Sequence, residues 1–536
     1  MKNLIAGLSF CALIGTSTSV VLAESYKLLR VGVANHISIF APGVDHSNNG
    51  NKFYVNAFNT LVGKNPLKSE VEYKPELATS WKVINPRLIE LKIRQGVKFH
   101  NGDPMTIDDV VFSLQRMFDP SFVRYISRSD EYFENMYRAE KVDEQTLRVY
   151  SKKDEPIMEL LLNVQQSMIV PMKYIMGLTG HPEVDEASDY EAFHRAPVGT
   201  GPYKVKSFMP GEETVYERFN DYWGKKAPFE QIILKRISEL SSRITALINN
   251  EVDIIDQIPP DQLAAINSNP NYKTVGAVTP LFHVVIYNTS NPKMTQELRL
   301  ALNLCIDRKL LNEALWGGKA LVPNTHTYAQ YGAYYQPDIM TWEYNPEKGK
   351  QLIKENGLEG TTVRYDTDAV YYTNGVLAAQ AIGEMWAECG IKMKLNVQKK
   401  WTGNDSTFES RNWSNPMYFA DPAGSYGTMW SPKGARPTAQ SGSHSGQVNV
   451  VGCGSCWVPK EGYNEMWDKF RYEYDVKKRN AAYKEIMDYI KVDPPFIALY
   501  QPYESYGMRS DIEWIPYPGH SPYVMDFTAG RITVGN

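Results

Sequence analysis

The sequence has few of the residues that build metal and redox centres. Its 536 residues include only 5 cysteines and 9 histidines, and no two histidines have the spacing of metal ligands on a helix. The sequence also lacks a large excess of charge of either sign, because 57 basic side chains nearly balance 61 acidic ones and leave a net charge of −4. Nucleic-acid-binding proteins carry a basic face, so this balance excludes an electrostatic reason for binding nucleic acid.

Beyond the N-terminus, the sequence contains no long uncharged apolar run. The first 23 residues carry a single charge, Lys2, then an apolar run at 4–14 and a small or β-branched end at 21–23. This pattern predicts a cleavable secretory signal peptide over residues 1–23 and a mature protein that begins at Glu24. The apolar run is shorter than the roughly 20 residues that cross a bilayer. We therefore expect export to the periplasm without a membrane anchor.

Cys11 lies in the predicted signal peptide, and the four other cysteines fall into two groups. Cys305 and Cys389 lie in apolar helical patterns, where free cysteine packs as a small hydrophobic residue, and we expect both to be free thiols in a core. Cys453 and Cys456 form a C-x-x-C motif in a Gly- and Ser-rich stretch. A redox motif would open a helix, and a zinc site would need two further ligands. An oxidising compartment favours a disulfide between Cys453 and Cys456.

Motifs of catalysis are missing as well. The sequence has no G-x-S-x-G elbow, Walker A loop, H-E-x-x-H or G-x-G-x-x-G. Asp108 and Asp109 are neighbours, as are Asp253 and Asp256, but acid-base chemistry depends on facing geometry that sequence neighbours rarely supply. These absences argue against an enzyme and imply no metal and no cofactor.

Hydrophobic patterning alternates short strand-like runs with longer helical ones, which predicts an α/β chain. The length exceeds what one core usually supports, so two or more domains are expected. The predicted strands include 28–33, 232–237 and 283–287. The clearest predicted helices are 106–117, 241–250, 294–304, 346–356, 375–389 and 476–490. Thr106 is the expected N-cap of the first of these helices, with Asp109 completing a capping box. The Gly-Thr-Gly-Pro-Tyr run at 199–203 precedes a strand pattern, which favours a tight strand-entry turn.

Several segments in order resemble the extracellular solute-binding proteins of family 5, the dipeptide, oligopeptide and nickel-binding group of ABC importers. These segments are KPELATSW at 74–81, IRQGVKFHNGDPMTIDDVV at 93–111, GTGPY at 199–203, NDYWG at 220–224, EVD at 251–253, LRLALN at 298–303, IDR at 306–308 and the aromatic stretch at 413–430. The resemblance implies two α/β lobes of the periplasmic-binding-protein type, with an extra subdomain inserted in the first lobe and the ligand between the lobes.

The resemblance also implies boundaries, which we place by position in this sequence. The first lobe is expected at 24–58, 199–281 and 500–536, the inserted subdomain at 59–198 and the second lobe at 282–499. The chain is expected to cross between the lobes near Tyr287 and again near 494–496.

The function implied is that of a monomeric periplasmic binding protein, which encloses a peptide-sized solute by hinge closure. It would then deliver the solute to the permease subunits of an ABC importer. Two alternatives from other classes stay open: a secreted hydrolase acting on peptides or glycosides, and a surface-binding or chaperone protein without a transport role.

The nature of the cargo is left open by one departure from the family pattern. In peptide-binding members a Gly-Trp pair is followed within a few residues by an Asp that pairs the ligand's ammonium group. Here the pair reads Asn412-Trp413, and the next acid is Asp421. Burying an ammonium group without a counter-charge costs roughly several kcal/mol of free energy. Oligopeptide-like molecules and glycosides or sugar–amino-acid conjugates are therefore both expected cargo classes.

The expected ligand-binding residues come from both lobes. The second lobe is expected to contribute residues of the family's ligand-facing segment, and the others are chosen at a strand end of the first lobe and after a strand-like run. These residues are Trp413, Asn415, Tyr418, Asp421 and Tyr426, and then Asn35, Phe40 and Trp401.

Overall fold

The computed structural model describes residues 26–43, 48–65, 71–119, 121–122, 133–164, 167–178, 192–399, 407–432, 457–514 and 524–535. The predicted signal peptide, Trp401 and the Cys453/Cys456 pair lie outside these ranges. Within them, no helix has both the length and the hydrophobicity that crossing a membrane requires.

Strands and helices alternate along most of the described chain. The strands are β1 Tyr26–Val33, β2 Val62–Lys64, β3 Tyr73–Pro75, β4 Ala78–Asn85, β5 Leu88–Ile93, β6 Met136–Lys141, β7 Thr146–Ser151, β8 Tyr203–Met209, β9 Glu213–Arg218, β10 Phe229–Arg236, β11 Ile254–Ile255, β12 Tyr272–Val278, β13 Leu281–Tyr287, β14 Thr362–Asp368, β15 Lys392–Gln398, β16 Ser410–Pro416, β17 Phe496–Tyr500, β18 Tyr503–Arg509, β19 Ile512–Trp514 and β20 Ile532–Val534. The helices are α1 Gly50–Ala57, α2 Ile107–Phe118, α3 Met172–Leu178, α4 Leu240–Ile248, α5 Leu263–Asn267, α6 Gln296–Leu304, α7 Arg308–Trp316, α8 Pro346–Glu355, α9 Gly375–Glu388, α10 Tyr426–Trp430, α11 Tyr463–Arg471 and α12 Val476–Val492. The chain is an α/β protein, as predicted.

One sheet gathers strands from three separate parts of the chain. Its seven strands run in the order β12-β18-β11-β1-β10-β9-β8, and β1 at its centre is parallel to both β10 and β11. Leu29, Val31 and Val33 of β1 are buried in the core of this unit, which explains the apolar alternation of that segment. We term the sheet and its helices lobe I.

A second sheet forms the body that we term lobe II. Its five strands run in the order β15-β14-β16-β13-β17, with β14 parallel to β15 and β16. All seven residues of β13 are buried because the sheet is covered on both faces, and this strand accordingly reads as a nearly continuous apolar run.

The described residues between 59 and 198, which we term the insert, build a separate four-stranded sheet in the order β4-β5-β7-β6. Helix α2 lies beside this sheet with Val110 and Leu114 buried. The predicted capping box is confirmed: the Thr106 backbone N–H donates to Asp109 Oδ2 over 2.8 Å, and the Thr106 hydroxyl accepts from the Asp109 N–H.

A close backbone approach within lobe I joins the residues that flank the insert. The Gly201 N–H donates to the carbonyl of Ala57 over 2.9 Å, and a Cβ at Gly201 would lie 2.4 Å from the Ala57 carbonyl carbon. Only glycine fits at this distance. The Gly-Thr-Gly-Pro run is thus a tight turn that enters β8, as its sequence predicts.

The two crossings between the lobes lie elsewhere than predicted. The chain passes from β12 to β13 at 279–280 and returns from β17 to β18 at 501–502. There the Thr279 N–H donates to the Pro502 carbonyl over 3.0 Å. The prediction of crossings near Tyr287 and 494–496 is wrong because those residues pair with each other inside lobe II, where the Tyr287 N–H donates to the Pro495 carbonyl over 2.9 Å.

Cys305 and Cys389 are joined by a disulfide, with their Cα atoms 6.4 Å apart. The prediction that both are free thiols is therefore wrong. Each cysteine caps the C-terminus of a helix, α6 and α9 respectively, and the two helix ends lie side by side. Apolar periodicity within each helix identified two buried positions but carried no information about which helix ends adjoin.

Candidate binding cleft between the lobes

The cleft lies where strand ends of lobe II face lobe I. The parallel strands β14 and β16 end on this side, and α9 begins here after the connection at 369–374, which we term the cleft loop. In α/β sheets, ligands bind at the carboxyl ends of parallel strands. The fold therefore directs attention to the cleft loop and the end of β16.

Two side chains of lobe I reach the backbone of the cleft loop. Asn35 Nδ2 donates to the Val370 carbonyl over 3.3 Å, and Gln257 Nε2 donates to the Tyr371 carbonyl over 3.2 Å. Asn35 also donates to Gln257 Oε1 over 3.0 Å. Gln257 has a φ of 53°, a left-handed conformation that is uncommon for residues other than glycine. Backbone strain of this kind clusters at functional sites.

Further hydrogen bonds join the lobes around Ser414. Asn48 Nδ2 of lobe I donates to Ser414 Oγ over 2.8 Å, and the Tyr372 hydroxyl donates to the same oxygen over 3.0 Å. Near the crossings, Thr373 Oγ1 donates to Glu504 Oε2 over 3.3 Å. The described chain is thus in a closed arrangement, with lobe I touching both the cleft loop and β16.

Two buried polar atoms beside Ser414 have no protein partner within the described part of the chain: His283 Nε2 and Asn412 Oδ1. His283 pairs with Ser414 across β13 and β16, and Asn412 lies two residues earlier on β16, so all three side chains share one face of the sheet. Only 4% of His283 and 7% of Asn412 is exposed. Burial lowers the pKa of His283 to about 3, so its imidazole is neutral at physiological pH.

This histidine predicts a pH dependence of stability. Its pKa is lowered in the folded protein, so the unfolded chain binds its proton first as the pH falls below about 6.5. His283→Phe should remove this effect, and the free energy of unfolding of the variant relative to the natural protein should rise by about 3 kcal/mol between pH 7 and pH 4. Urea unfolding at several pH values measures the difference. Parallel pH profiles would contradict the assignment.

Asn415 faces the interior of lobe II. Its Nδ2 donates to the Ser425 carbonyl over 2.8 Å, and its Oδ1 lies 2.5 Å from His326 Nε2. Burial lowers the pKa of His326 to about 4, so this ring is also neutral. The amide of Asn415 therefore has protein partners on both of its polar atoms.

Three other predicted ligand residues also pack within one lobe. Asp421 forms a buried ion pair with Arg479, 2.8 Å from Oδ1 to the guanidinium. The Tyr426 hydroxyl lies 2.8 Å from another tyrosine hydroxyl in lobe II. Phe40 is fully buried in lobe I, with its ring 5.3 Å from that of Tyr54. The structure gives each of these side chains a role in a lobe interior.

Trp413 and Tyr418 are half-buried near the end of β16. The Arg411 guanidinium lies 4.5 Å from the centre of the Trp413 ring. Lys64 of the insert donates to the Tyr418 carbonyl over 3.1 Å, and burial lowers the pKa of this lysine to about 8. Of the predicted residues that the structure describes, Asn35 reaches the cleft loop and Tyr418 meets the insert through its backbone. Trp413 lies on the face of β16 opposite Ser414, where it packs against Arg411.

Four cleft residues carry no sequence motif that predicts them: Asn48, Gln257, Tyr372 and His283. Asn48 and Gln257 lie in connections without a motif, and only the closed arrangement brings them to lobe II. A polar His283 inside the apolar run of β13 was the one visible signal. The acidic residues Asp253 and Asp256 pair instead with cations of lobe I: Asp253 with Arg30 and Arg509, and Asp256 with Lys52.

Comparison with known proteins places the chain among binding proteins. The sequence model of the bacterial extracellular solute-binding proteins, family 5 Middle, matches residues 72–443. The di/tripeptide-binding protein 2 of Pseudomonas aeruginosa is 25% identical over 468 residues, which cover 82% of this chain and 83% of that protein.

Solved structures share the fold over nearly the whole chain. The periplasmic binding protein DppA of Helicobacter pylori, in complex with the peptide STSA, gives a TM-score of 0.81 at 21% identity, over 96% of this chain and 99% of that one. The binding protein AgaA of A. tumefacien R10, in complex with agropinic acid, gives a TM-score of 0.78 at 23% identity, over 95% of this chain and 99% of that one. Both matches extend across the two lobes and the insert.

Proposed function

This chain belongs to the bacterial extracellular solute-binding proteins of family 5, and we propose that it captures a peptide-sized solute in the periplasm and delivers it to an ABC importer. The observation that carries the proposal is the contact of lobe I with the strand ends of lobe II through Asn35, Gln257 and Asn48. Its relatives are binding proteins, and we propose no enzymatic activity.

The connections between the lobes support hinge closure as the mechanism. Two short crossings, at 279–280 and 501–502, are the only chain connections between lobe I and lobe II in the described residues. Rotation at these crossings would separate Asn48 from Ser414 and the cleft loop from its lobe I partners. A ligand that binds both lobes stabilises the closed arrangement only as far as it prefers that arrangement.

The chemistry of the cleft favours a hydroxyl-rich conjugate over a simple peptide. The side chains that contact Ser414 or share its face of the sheet are uncharged: Asn48, Tyr372, Asn412 and the neutral His283. The carboxylates of Asp368 and Glu504 at the cleft loop already accept hydrogen bonds, from the Val370 N–H and the Thr373 hydroxyl. Between Trp413 and the end of β16 at Pro416 there is no acid that could pair with a ligand's ammonium group. Neutral donors and acceptors with ring stacking suit sugar or sugar-alcohol hydroxyls.

Titration calorimetry with agropinic acid and with the tetrapeptide STSA tests this choice. Agropinic acid is a conjugate of a sugar alcohol with an amino acid, and we expect it to bind at least about tenfold more tightly, about 1.4 kcal/mol. Small-angle scattering should show a smaller radius of gyration at saturation. Tighter binding of the peptide would favour the oligopeptide alternative. Turnover of either compound would support a hydrolase, and binding of neither with no compaction would contradict both cargo classes.

A variant of Trp413 tests whether this residue, predicted from the sequence to bind the ligand, contacts the cargo. Trp413→Ala should weaken agropinic acid binding by about 1–3 kcal/mol if the ring stacks on the cargo, by analogy with base stacking. The matched control is Tyr426→Phe, which removes one hydroxyl inside lobe II and should leave the affinity unchanged. If Trp413→Ala keeps full affinity but lowers the free energy of unfolding by about 3–5 kcal/mol, the ring belongs to the core.

A further inference from the structure

The insert and lobe II meet at a buried ion pair remote from the cleft loop. Arg471 is the last residue of α11 in lobe II, and its guanidinium lies 2.7 Å from Glu155 Oε2 of the insert. The two side chains are 4% and 1% exposed. Because water does not reach a pair buried this far, each of the two charges must be balanced by its partner.

Other polar contacts surround this pair. The Tyr472 hydroxyl accepts from Asn135 Nδ2 over 2.7 Å and lies 3.1 Å from a carboxylate oxygen of Glu134. At the edge, the ammonium of Lys153 lies 3.1 Å from the Asp468 carboxylate. The insert and lobe II also share one continuous cluster of buried apolar side chains, which includes Met158 of the insert and Phe470 of lobe II. Separating the two units therefore exposes apolar surface as well as the ion pair.

The insert is fixed to lobe I by other contacts. His100 Nε2 of the insert lies 3.0 Å from the Gly201 carbonyl of lobe I, and Lys98 pairs with Asp221 over 2.7 Å. Phe112 and Phe193 of the insert are buried in the core cluster of lobe I. The chain also connects the insert to lobe I once at each end of the insert. If the insert moves with lobe I, lobe II cannot rotate away at its two crossings without breaking the contact between Arg471 and Glu155.

We propose that Arg471 and Glu155 form a latch that stabilises the closed arrangement, so that the ligand-free protein populates both the closed and the open form and a ligand completes the closure. When the lobes separate, water solvates both ions, so the intact pair opposes opening only moderately. If one partner is removed, the other is left charged and unpaired in the closed form but is solvated in the open form. Single replacements should therefore shift the population toward the open form without unfolding the protein.

The experiment compares Glu155→Gln, Arg471→Met and the double variant in the absence of ligand. Small-angle scattering should give a larger radius of gyration for each single variant than for the natural protein. Hydrogen exchange at 134–137 and 471–474 should be about tenfold faster or more, because breaking a buried pair is costly. The double variant should lie between the single variants and the natural protein, because it has no unpaired buried charge but also lacks the ion pair that holds the closed arrangement.

The matched control is Glu485→Gln, which removes the exposed pair of Lys469 and Glu485 inside lobe II and should change neither readout. Exchange in the lobe core strands β13 and β17 should also stay constant in every variant. If the single variants exchange faster in β13 and β17 as well, or melt at a much lower temperature with an unchanged radius, the pair is a structural element of the fold. That result, or single variants that match the natural protein in radius and exchange, would overturn the latch.

Discussion

Replacing Cys305 and Cys389 together with alanine should lower the free energy of unfolding by about 4 kcal/mol. The disulfide joins positions 84 residues apart, so it removes a large loop-closure entropy from the unfolded chain. It also holds the ends of α6 and α9 together beside Gly349 of α8, where an added Cβ would lie 2.5 Å from Cys305 Sγ. Urea denaturation of the natural protein and the double variant measures the loss.

A reductant provides the control for this prediction. It should lower the stability of the natural protein toward that of the double variant and change the double variant much less. Intact-mass analysis should show a gain of about 2 Da for each disulfide reduced. The bond between Cys453 and Cys456 stays a prediction, and a gain of about 4 Da would support it. Equal stability of the natural protein and the double variant would contradict a stabilising role for the bond between Cys305 and Cys389.

The helices could be predicted from the sequence, because interactions between residues close in the chain determine where they begin and end. Each of the six predicted helices is present, with its ends within about two residues of those predicted. Capping residues explain this accuracy: Asn345 accepts from the Lys348 N–H at the start of α8, and Asp475 accepts from the Lys478 N–H at the start of α12. Such signals lie within four residues of each other and need no knowledge of the rest of the fold.

The contacts that depend on distant parts of the chain could not be predicted in this way. The resemblance predicts one ligand-facing stretch around Trp413, but successive side chains of a strand point to opposite faces of the sheet. Asn412 and Ser414 share the face of His283, whereas Asn415 turns the other way and meets His326 inside lobe II. Which face opens on lobe I depends on the closed arrangement, and no local pattern encodes that arrangement.

The role of Asp421 also depends on a distant residue, Arg479, and its loss should have a large effect on the free energy of unfolding. Its carboxylate and the Arg479 guanidinium are each 1% exposed, and the guanidinium also lies 4.6 Å from the ring of Tyr334 and 4.7 Å from that of Phe470. Asp421→Asn would leave the arginine charged and unpaired in the interior of lobe II. We expect the free energy of unfolding to fall by about 3–5 kcal/mol.

The outcome for ligand binding separates a structural role of Asp421 from the ligand-binding role predicted from its sequence position. Folded Asp421→Asn should bind agropinic acid with nearly the natural affinity, because the carboxylate is occupied by Arg479 and by the Ala423 N–H at 2.8 Å. The double variant Asp421→Asn/Arg479→Met should recover part of the lost stability, since it removes the unpaired charge. A tenfold or greater loss of affinity, about 1.4 kcal/mol, with unchanged stability would place Asp421 on the cargo and contradict the structural role.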